Sequence, residues 1–459
     1  MSSSHGTEKT ERLTRSALLR RAGVAATAVG AAGIAAPYAF AGPHRFTGRW
    51  LAGDLSVVQW AHFVPRYNAW FRTWAQAWGE QNDVEVSIDL ETYTLLPALA
   101  AAEAKARRGH DVFGFLSPPA RYEDQVIDHT AIVREVEKAV GPYGDLGRKS
   151  TFNPRTRRYF GVSDYYVPAP LIWRHDVWNA LGQSPATWDH VREAAPALKA
   201  GGHPIGIGLA DDADSNVALL SLLMCFGASI QDEAGALTID SERTVEAVAF
   251  MAELHARGGE SGAFDWDVTS NNQHVLSGRG SLIVNAISPI RRAEELDMPV
   301  ADDLWIWPMP QGPGGRLGLA QYTGVYSVWR FAKNREAAER FLADVCVASN
   351  EAIPASGFFN YPSFPGAHPA KQIYKTAASD PRTPRGKYSI LTTVASHYTR
   401  NAGSPGPANA AVQETLDRFL IPRMFAQVAR GRMSAADSVK ATAAQMRPIW
   451  RKWRAAGKA

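Results

Sequence analysis

The stretch Ser163-Asp164-Tyr165-Tyr166-Val167-Pro168-Ala169-Pro170-Leu171-Ile172-Trp173-Arg174-His175-Asp176-Val177-Trp178-Asn179-Ala180-Leu181-Gly182, continuing as Gln183-Ser184-Pro185-Ala186-Thr187-Trp188-Asp189, decides the architecture. It opens polar and aromatic, and Pro168 and Pro170 pin an extended backbone. Leu171-Ile172-Trp173 is then a short apolar run of the kind a buried strand needs. Pro185 precedes Thr187, whose hydroxyl can cap a new helix. The stretch reads as a crossing from one lobe of the protein into another.

Working outward, a chain of 459 residues that is 46% hydrophobic and 20% charged has length for two lobes rather than a single core. Its formal charge of +4 is concentrated at the start, where Lys9, Arg12, Arg15, Arg20 and Arg21 outweigh Glu8 and Glu11. The remainder is nearly neutral, and nothing in it asks for nucleic acid. The basic tail Arg447–Arg454 is interleaved with Pro448, Ile449, Trp450 and Trp453, as in a packed helix with one solvated face.

Residues 1–41 read as a cleavable export signal. A basic region ends in Arg20-Arg21, a weakly apolar Ala/Gly core runs from Ala22 to Ala36, and Ala39-Phe40-Ala41 offers a small-x-small cleavage site. The paired arginines resemble a twin-arginine signal, although Ala22-Gly23-Val24 stand where bulkier apolar residues are usual. The general secretory route is the alternative. No later run is long enough to span a bilayer, so the mature chain is expected in the periplasm, as a monomer. Cys225 and Cys346, the two cysteines, lie in apolar runs without redox or metal spacing and read as unpaired core residues.

Along 42–162, Leu55–Trp60 is strand-like. Tyr67, Trp70, Phe71, Trp74 and Trp78 form one face of a helix begun at Pro65. Val84, Val86, Ile88 and Leu90 alternate with polar residues as a half-buried strand. Leu95–Arg108 is helical, and Asp111–Leu116 is a buried strand stopped by Ser117-Pro118-Pro119. This order implies a parallel sheet in a first lobe, with ligands beyond the carboxyl ends of its strands, at His62-Phe63 and Ser117. Residues 163–320 then form a second mixed lobe. Residues 321–400 return to the first lobe through the strand-like run Leu319–Trp329, and 401–459 supply closing helices packed on the second. Asn334 caps one helix, and Ser434 with Asp437 opens the last.

Catalytic signatures are missing. There is no Gly-x-x-x-x-Gly-Lys-Ser/Thr loop, Gly-x-Ser-x-Gly elbow or His-Glu-x-x-His. Asp212-Ala213-Asp214-Ser215-Asn216 starts like a calcium loop, but Val217 and Leu223 replace its glycine and bidentate acid, leaving a helix-capping loop. No catalytic group, metal or cofactor is expected. The chain is instead rich in aromatics, with 14 Trp, 14 Tyr and 18 Phe. A flat ring matches the apolar face of a sugar, while amides, hydroxyls and carboxylates meet its hydroxyls edge-on. Clusters holding both kinds of group fall at Trp60, His62 and Phe63, at Asp164, Tyr165 and Tyr166, and at Trp266, Asp267 and Asn271. Asn285, Tyr322, Phe358 and Ser117 complete the candidate site. Packing is the competing reading for each, and for Trp70, Trp74, Trp78 and Trp188 it is preferred.

The opening stretch, with its aromatic run and Pro-x-Thr-Trp-Asp helix start, resembles that of the family 1 extracellular solute-binding proteins, the maltose-binding-like receptors of bacterial ABC importers. Gly278-Arg279-Gly280-Ser281-Leu282 is similar to that family's Gly-Lys/Arg-Ala-Ala-Met turn. Pro308-Met309-Pro310-Gln311-Gly312-Pro313-Gly314-Gly315 is similar to its Pro-Leu-Pro-x-Gly-Pro-Gly-Gly loop. Asn334–Leu342 and Gly431–Ser438 resemble its later helices. Ser281 and Asp437 depart from the pattern, and Ser117–Tyr122 and Ser270–His274 have no counterpart in it. The resemblance implies a two-lobed periplasmic binding protein fold of the α/β class, with crossover hinge strands and an interlobe cleft. It also implies a carbohydrate ligand and delivery to a membrane permease. A receptor for a glycerophosphodiester or polyamine, and a secreted carbohydrate-active enzyme, are the rival readings. The enzyme would need paired carboxylates across the cleft.

Overall fold

The computed structural model describes residues 51–382 and 384–459, so the export signal expected over residues 1–41, with its cleavage at Ala41, lies outside the described residues. The strands are, in chain order, β1 (Gly53–Trp60), β2 (Val84–Glu91), β3 (Val112–Phe115), β4 (Phe152–Asn153), β5 (Arg158–Tyr159), β6 (Val162–Pro168), β7 (Leu171–Arg174), β8 (Ile205–Gly206), β9 (Leu282–Val284), β10 (Leu304–Trp307), β11 (Gly318–Val328), β12 (Tyr361–Pro362) and β13 (Thr399–Arg400). β4 and β5 form a small hairpin.

The larger sheet runs β12-β6-β11-β3-β1-β2, with β13 joining the start of β11. The smaller runs β10-β7-β9-β8. In the first, β1 is parallel to β2 and β3, and β11 enters antiparallel between β3 and β6. The helix Pro65–Asn82 begins on Pro65, where no intrahelical N–H is needed. It buries Tyr67, Phe71, Trp74, Ala75 and Trp78 on one face and ends on Asp83 at φ 58°. The edge strand β2 alternates buried or half-buried with exposed side chains as far as Leu90, because only one of its faces meets the core.

Two hydrophobic clusters form the core, the first spanning the larger sheet and reaching Ile172, Ile283 and Leu304 of the smaller one, the second filling the rest of the second lobe. The first gathers Val57, Phe71, Phe113, Val325, Trp329 and Phe341. The second gathers Leu171, Trp188, Leu223, Val248, Leu282 and Met424, and takes in Val439, Ala443, Met446, Ile449 and Trp450 of the closing helix Ala435–Ala455. Thr187, Asn334 and Ser434 cap their helices through side-chain oxygens. Cys225 and Cys346 are free and buried. No helix among the described residues is long and apolar enough to cross a membrane.

The change of sheet falls at Ala169-Pro170, later than residue 163, because β6 pairs on both edges within the larger sheet while β7 pairs in the smaller. The chain returns at Gly318, where β11 starts, and leaves again after β13 towards the helix Ala410–Asp417. Asp111 locks the far end of the first lobe. Its carboxylate accepts from the Ser56 N–H at 2.9 Å and hydroxyl at 2.8 Å, and from the Lys333 and Asn334 N–H groups at 2.5 and 3.3 Å. Asp111→Ala would strand these donors, and chemical denaturation is expected to show a loss of about 2–3 kcal/mol.

Candidate functional site between the lobes

The carboxyl ends of β1, β2 and β3 point to one end of the larger sheet. Since Val325 of β11 pairs with Phe115 of β3, Tyr322 lies just beyond that end. Here the first lobe presents aromatic rings. Trp60 lies 5.1 Å from Phe63, 5.6 Å from Tyr322 and 6.2 Å from Phe359, centroid to centroid. Tyr93, which follows β2, lies 5.6 Å from Phe63 and 6.3 Å from Tyr322. Phe63 is 46% exposed, whereas Trp60 is 2% exposed. Phe63, Tyr93 and Tyr322 therefore form the surface, and Trp60 the layer beneath. Ser117 is exposed just past β3.

That layer is fixed from below. The Trp60 indole N–H donates to the Tyr165 hydroxyl at 2.7 Å. Tyr165 can close on β11 because its partner in register is Gly324, where a Cβ would lie 2.6 Å from the Tyr165 ring. His62 is buried and structural. Its Nδ1 accepts from the Val64 N–H at 2.9 Å, which leaves Nε2 as the donor to Asn360 Oδ1 at 3.1 Å. Burial lowers its pKa to about 3, so it is neutral.

The second lobe supplies carboxylates and amides. Asp212 caps the helix Ala213–Cys225, accepting from the Asp214 and Ser215 N–H groups at 2.8 and 3.1 Å. This places Asp214 in the first turn, where it accepts from the Gln321 side chain at 2.5 Å and the Asn271 side chain at 2.8 Å. The Gln321 bond joins β11 of the larger sheet to a helix of the second core. Asp212, Asp214, Trp266, Asp267 and Asn271 line one recess together with Gly206, Gly208 and Ser215. Asp267 is exposed and accepts from the Thr269 N–H and hydroxyl and the Ser270 hydroxyl, bonds that hold its carboxyl below the usual range.

The two walls feel each other. Burial first, then the carboxylates of Asp214, Asp267 and Asp212, push the Tyr93 hydroxyl up to about 12. Burial also raises Tyr322, with Asp214 and Tyr93 adding to it. Asp214 is pushed up to about 7 by burial and by its neighbour Asp212.

Other residues expected at the cleft sit elsewhere. Asp164 is 3% exposed and lies in the first core, where its charge reaches Tyr67, Tyr326 and Cys346. Tyr166, on the opposite face of β6 from Tyr165, donates to the Ala395 carbonyl at 3.0 Å. It lines a separate cavity of about 300 Å³ with Tyr361, His368, Thr392 and Arg400. Phe358 turns away at φ 67°, and it is Phe359 that joins the rings. Asn285 is a positioning residue, donating to Asn272 Oδ1 at 2.8 Å and accepting from the Ala286 N–H at 2.7 Å. Tyr93, Asp214 and Gln321 carry no site signal in the sequence reading, whereas Phe359 belongs to the polar-aromatic run Phe358-Phe359-Asn360-Tyr361 that follows Gly357. Tyr93 follows a strand end and could have been found by the rule that pointed to His62, whereas Asp214 was read as part of a capping loop, which it also is.

Two lobes of mixed α/β structure, joined by three crossings and facing each other with rings on one side and acids and amides on the other, define a two-lobed binding protein. The family model described as bacterial extracellular solute-binding protein matches residues 65–345, and the chain belongs to that family. Solved structures with this fold include maltose-bound Thermotoga maritima MalE3, at 18% identity, TM-score 0.67, and coverage of 86% of this chain and 100% of that one. A sugar transporter protein from Arthrobacter chlorophenolicus with bound laminaribiose matches at 16% identity, TM-score 0.69, and coverage of 86% and 98%. The GacH receptor of Streptomyces glaucescens, solved unliganded and in complex with acarbose and an acarbose homolog, matches at 16% identity, TM-score 0.67, and coverage of 88% and 100%. No curated protein sequence matches the chain.

Proposed function

We propose that this protein binds a carbohydrate in the interlobe cleft and hands it, unaltered, to the membrane permease of an ABC importer. The observation that carries the reading is that Tyr93 and Tyr322, clustered with Phe63, lie within electrostatic reach of Asp214, which lines a recess with Asp212, Asp267 and Asn271. Rings stack on the apolar face of a pyranose, while acids and amides meet its hydroxyls. The sugars in the related structures agree with it. Ligand bridging both walls favours the closed arrangement of the lobes, and closure presents the permease with a joined surface. The protein works outside the cytoplasm as a monomer, exported by the signal at residues 1–41 through the twin-arginine route and cleaved at Ala41.

A catalytic role is disfavoured. A glycosidase needs carboxylates on both sides of the scissile bond; Asp212, Asp214 and Asp267 all line one recess of the second lobe, and Asp164 is buried in the first core. A thermal-shift screen of maltose, laminaribiose, cellobiose, ribitol and longer oligosaccharides tests the reading. A ligand at one hundred times its dissociation constant adds about 2.7 kcal/mol, which for a chain of this size is expected to raise Tm by a few degrees. No shift with any sugar, or turnover of a glycan by the purified protein, would contradict it.

A further inference from the structure

The second-lobe wall is one-sided in its hydrogen bonding. Asn271 Nδ2 and Gln321 Nε2 both donate to Asp214, which fixes the orientation of each amide. Their carbonyl oxygens, Asn271 Oδ1 and Gln321 Oε1, are then left buried without a hydrogen-bond partner. The side chains are 4% and 8% exposed, and Asn271 lines the recess beside Asp212, Asp214 and Asp267. None of the residues lining that recess is basic. Three carboxylates and the side chain of Asn271, with its orphaned carbonyl, therefore line one recess with no cation among them, and Gln321, with the second orphaned carbonyl, adjoins it through its bond to Asp214.

A sugar hydroxyl brings one donor and two acceptors, so a wall built of acceptors satisfies only part of it. An ammonium group brings three donors and no acceptor. Across from them the Tyr93 hydroxyl lies within electrostatic reach of all three acids, in a ring cluster with Phe63 and Tyr322. Resting on the carbohydrate reading above, we infer that the natural solute is an amine-bearing carbohydrate whose ammonium group sits against Asp212, Asp214 and Asp267. The mutual repulsion of Asp212 and Asp214 is relieved by such a ligand and is not relieved by a neutral one. The chemistry also separates this ligand from a plain polyamine, since the stacking surface provided by the rings calls for a sugar ring.

The experiment is calorimetric titration of the mature protein with three disaccharides of one linkage: cellobiose, N,N′-diacetylchitobiose and the corresponding free-amine chitosan disaccharide, with spermidine as a fourth probe. The free-amine disaccharide is expected to bind at least about tenfold tighter than either neutral one, a preference that shrinks as salt rises. Asp267→Asn, an exposed change that leaves the core untouched, is expected to reduce that preference by about threefold or more. Equal affinity for the three disaccharides, or tighter binding of a neutral one, overturns this inference and leaves the carbohydrate reading standing. Binding of spermidine with none of the disaccharides overturns both. Silence from all four probes overturns the inference alone, the wider sugar screen deciding the reading beneath it.

Discussion

Trp60→Ala is expected to lower stability by about 3–5 kcal/mol and to weaken sugar binding severely, although Trp60 itself hardly meets solvent. The side chain is 2% exposed and touches the rings of His62, Phe63, Tyr322 and Phe359. Its removal leaves a cavity under the binding surface and takes from the Tyr165 hydroxyl the donor it holds at 2.7 Å. Phe63 and Tyr322 would lose the support that sets their separation, so the surface fails with its foundation. Urea unfolding and sugar titration on the same variant check both halves. Tyr322→Ala provides the contrast: it removes a stacking ring, and binding is expected to suffer more than stability. A Trp60→Ala protein of normal stability and normal affinity would refute the layered description.

Asp164→Asn is expected to stabilise the protein at alkaline pH. Burial pushes the Asp164 carboxyl up to about 8, offset only in part by the bond from the Tyr165 N–H. The folded chain therefore keeps a proton that the unfolded chain releases near pH 4. A raised folded-state pKa contributes stability that is whole below the unfolded value and is lost as pH climbs through the folded one. Across pH 4 to 8 the loss attributable to this group is on the order of 3–5 kcal/mol. Asparagine keeps the shape and the accepting oxygen and does not ionise. The difference between variant and wild type is expected to be small at pH 4 and to grow towards pH 8, as read by denaturation at several pH values. A difference that stays constant with pH would contradict the assignment.

The architecture was legible because periodicity and punctuation carry it. The stripe of Tyr67, Phe71, Trp74 and Trp78 and the alternation of Val84, Val86, Ile88 and Leu90 each report which face meets a core. The crossing at Pro168–Leu171 was visible as a proline-pinned extended run, but its edge was not, since β6 is claimed by β11 and β12, strands far away in sequence. The site was legible as a composition and only partly as a list. Adjacent residues on a strand face opposite ways, so Tyr165 supports the cleft while Tyr166 lines another cavity; Phe358 and Phe359 are separated instead by a turn, in which Phe358 takes a left-handed backbone conformation. Asp164 shares the polar-aromatic context of a ligand-binding residue, yet strand position buries it. Asp214 was hidden for the opposite reason. It sits in a capping loop whose structural role explains the sequence, and only the fold shows that Gln321 and Asn271 hold its carboxylate within electrostatic reach of Tyr93.

A crystal structure of the protein with the tightest-binding sugar of the screen tests the account most directly. The account predicts the sugar ring lying on Tyr322 and Phe63, with its polar groups bonded to Asp214 and Asn271. A sugar bound instead beside Tyr166 and Tyr361, with the faces of Phe63 and Tyr322 uncovered, would contradict it.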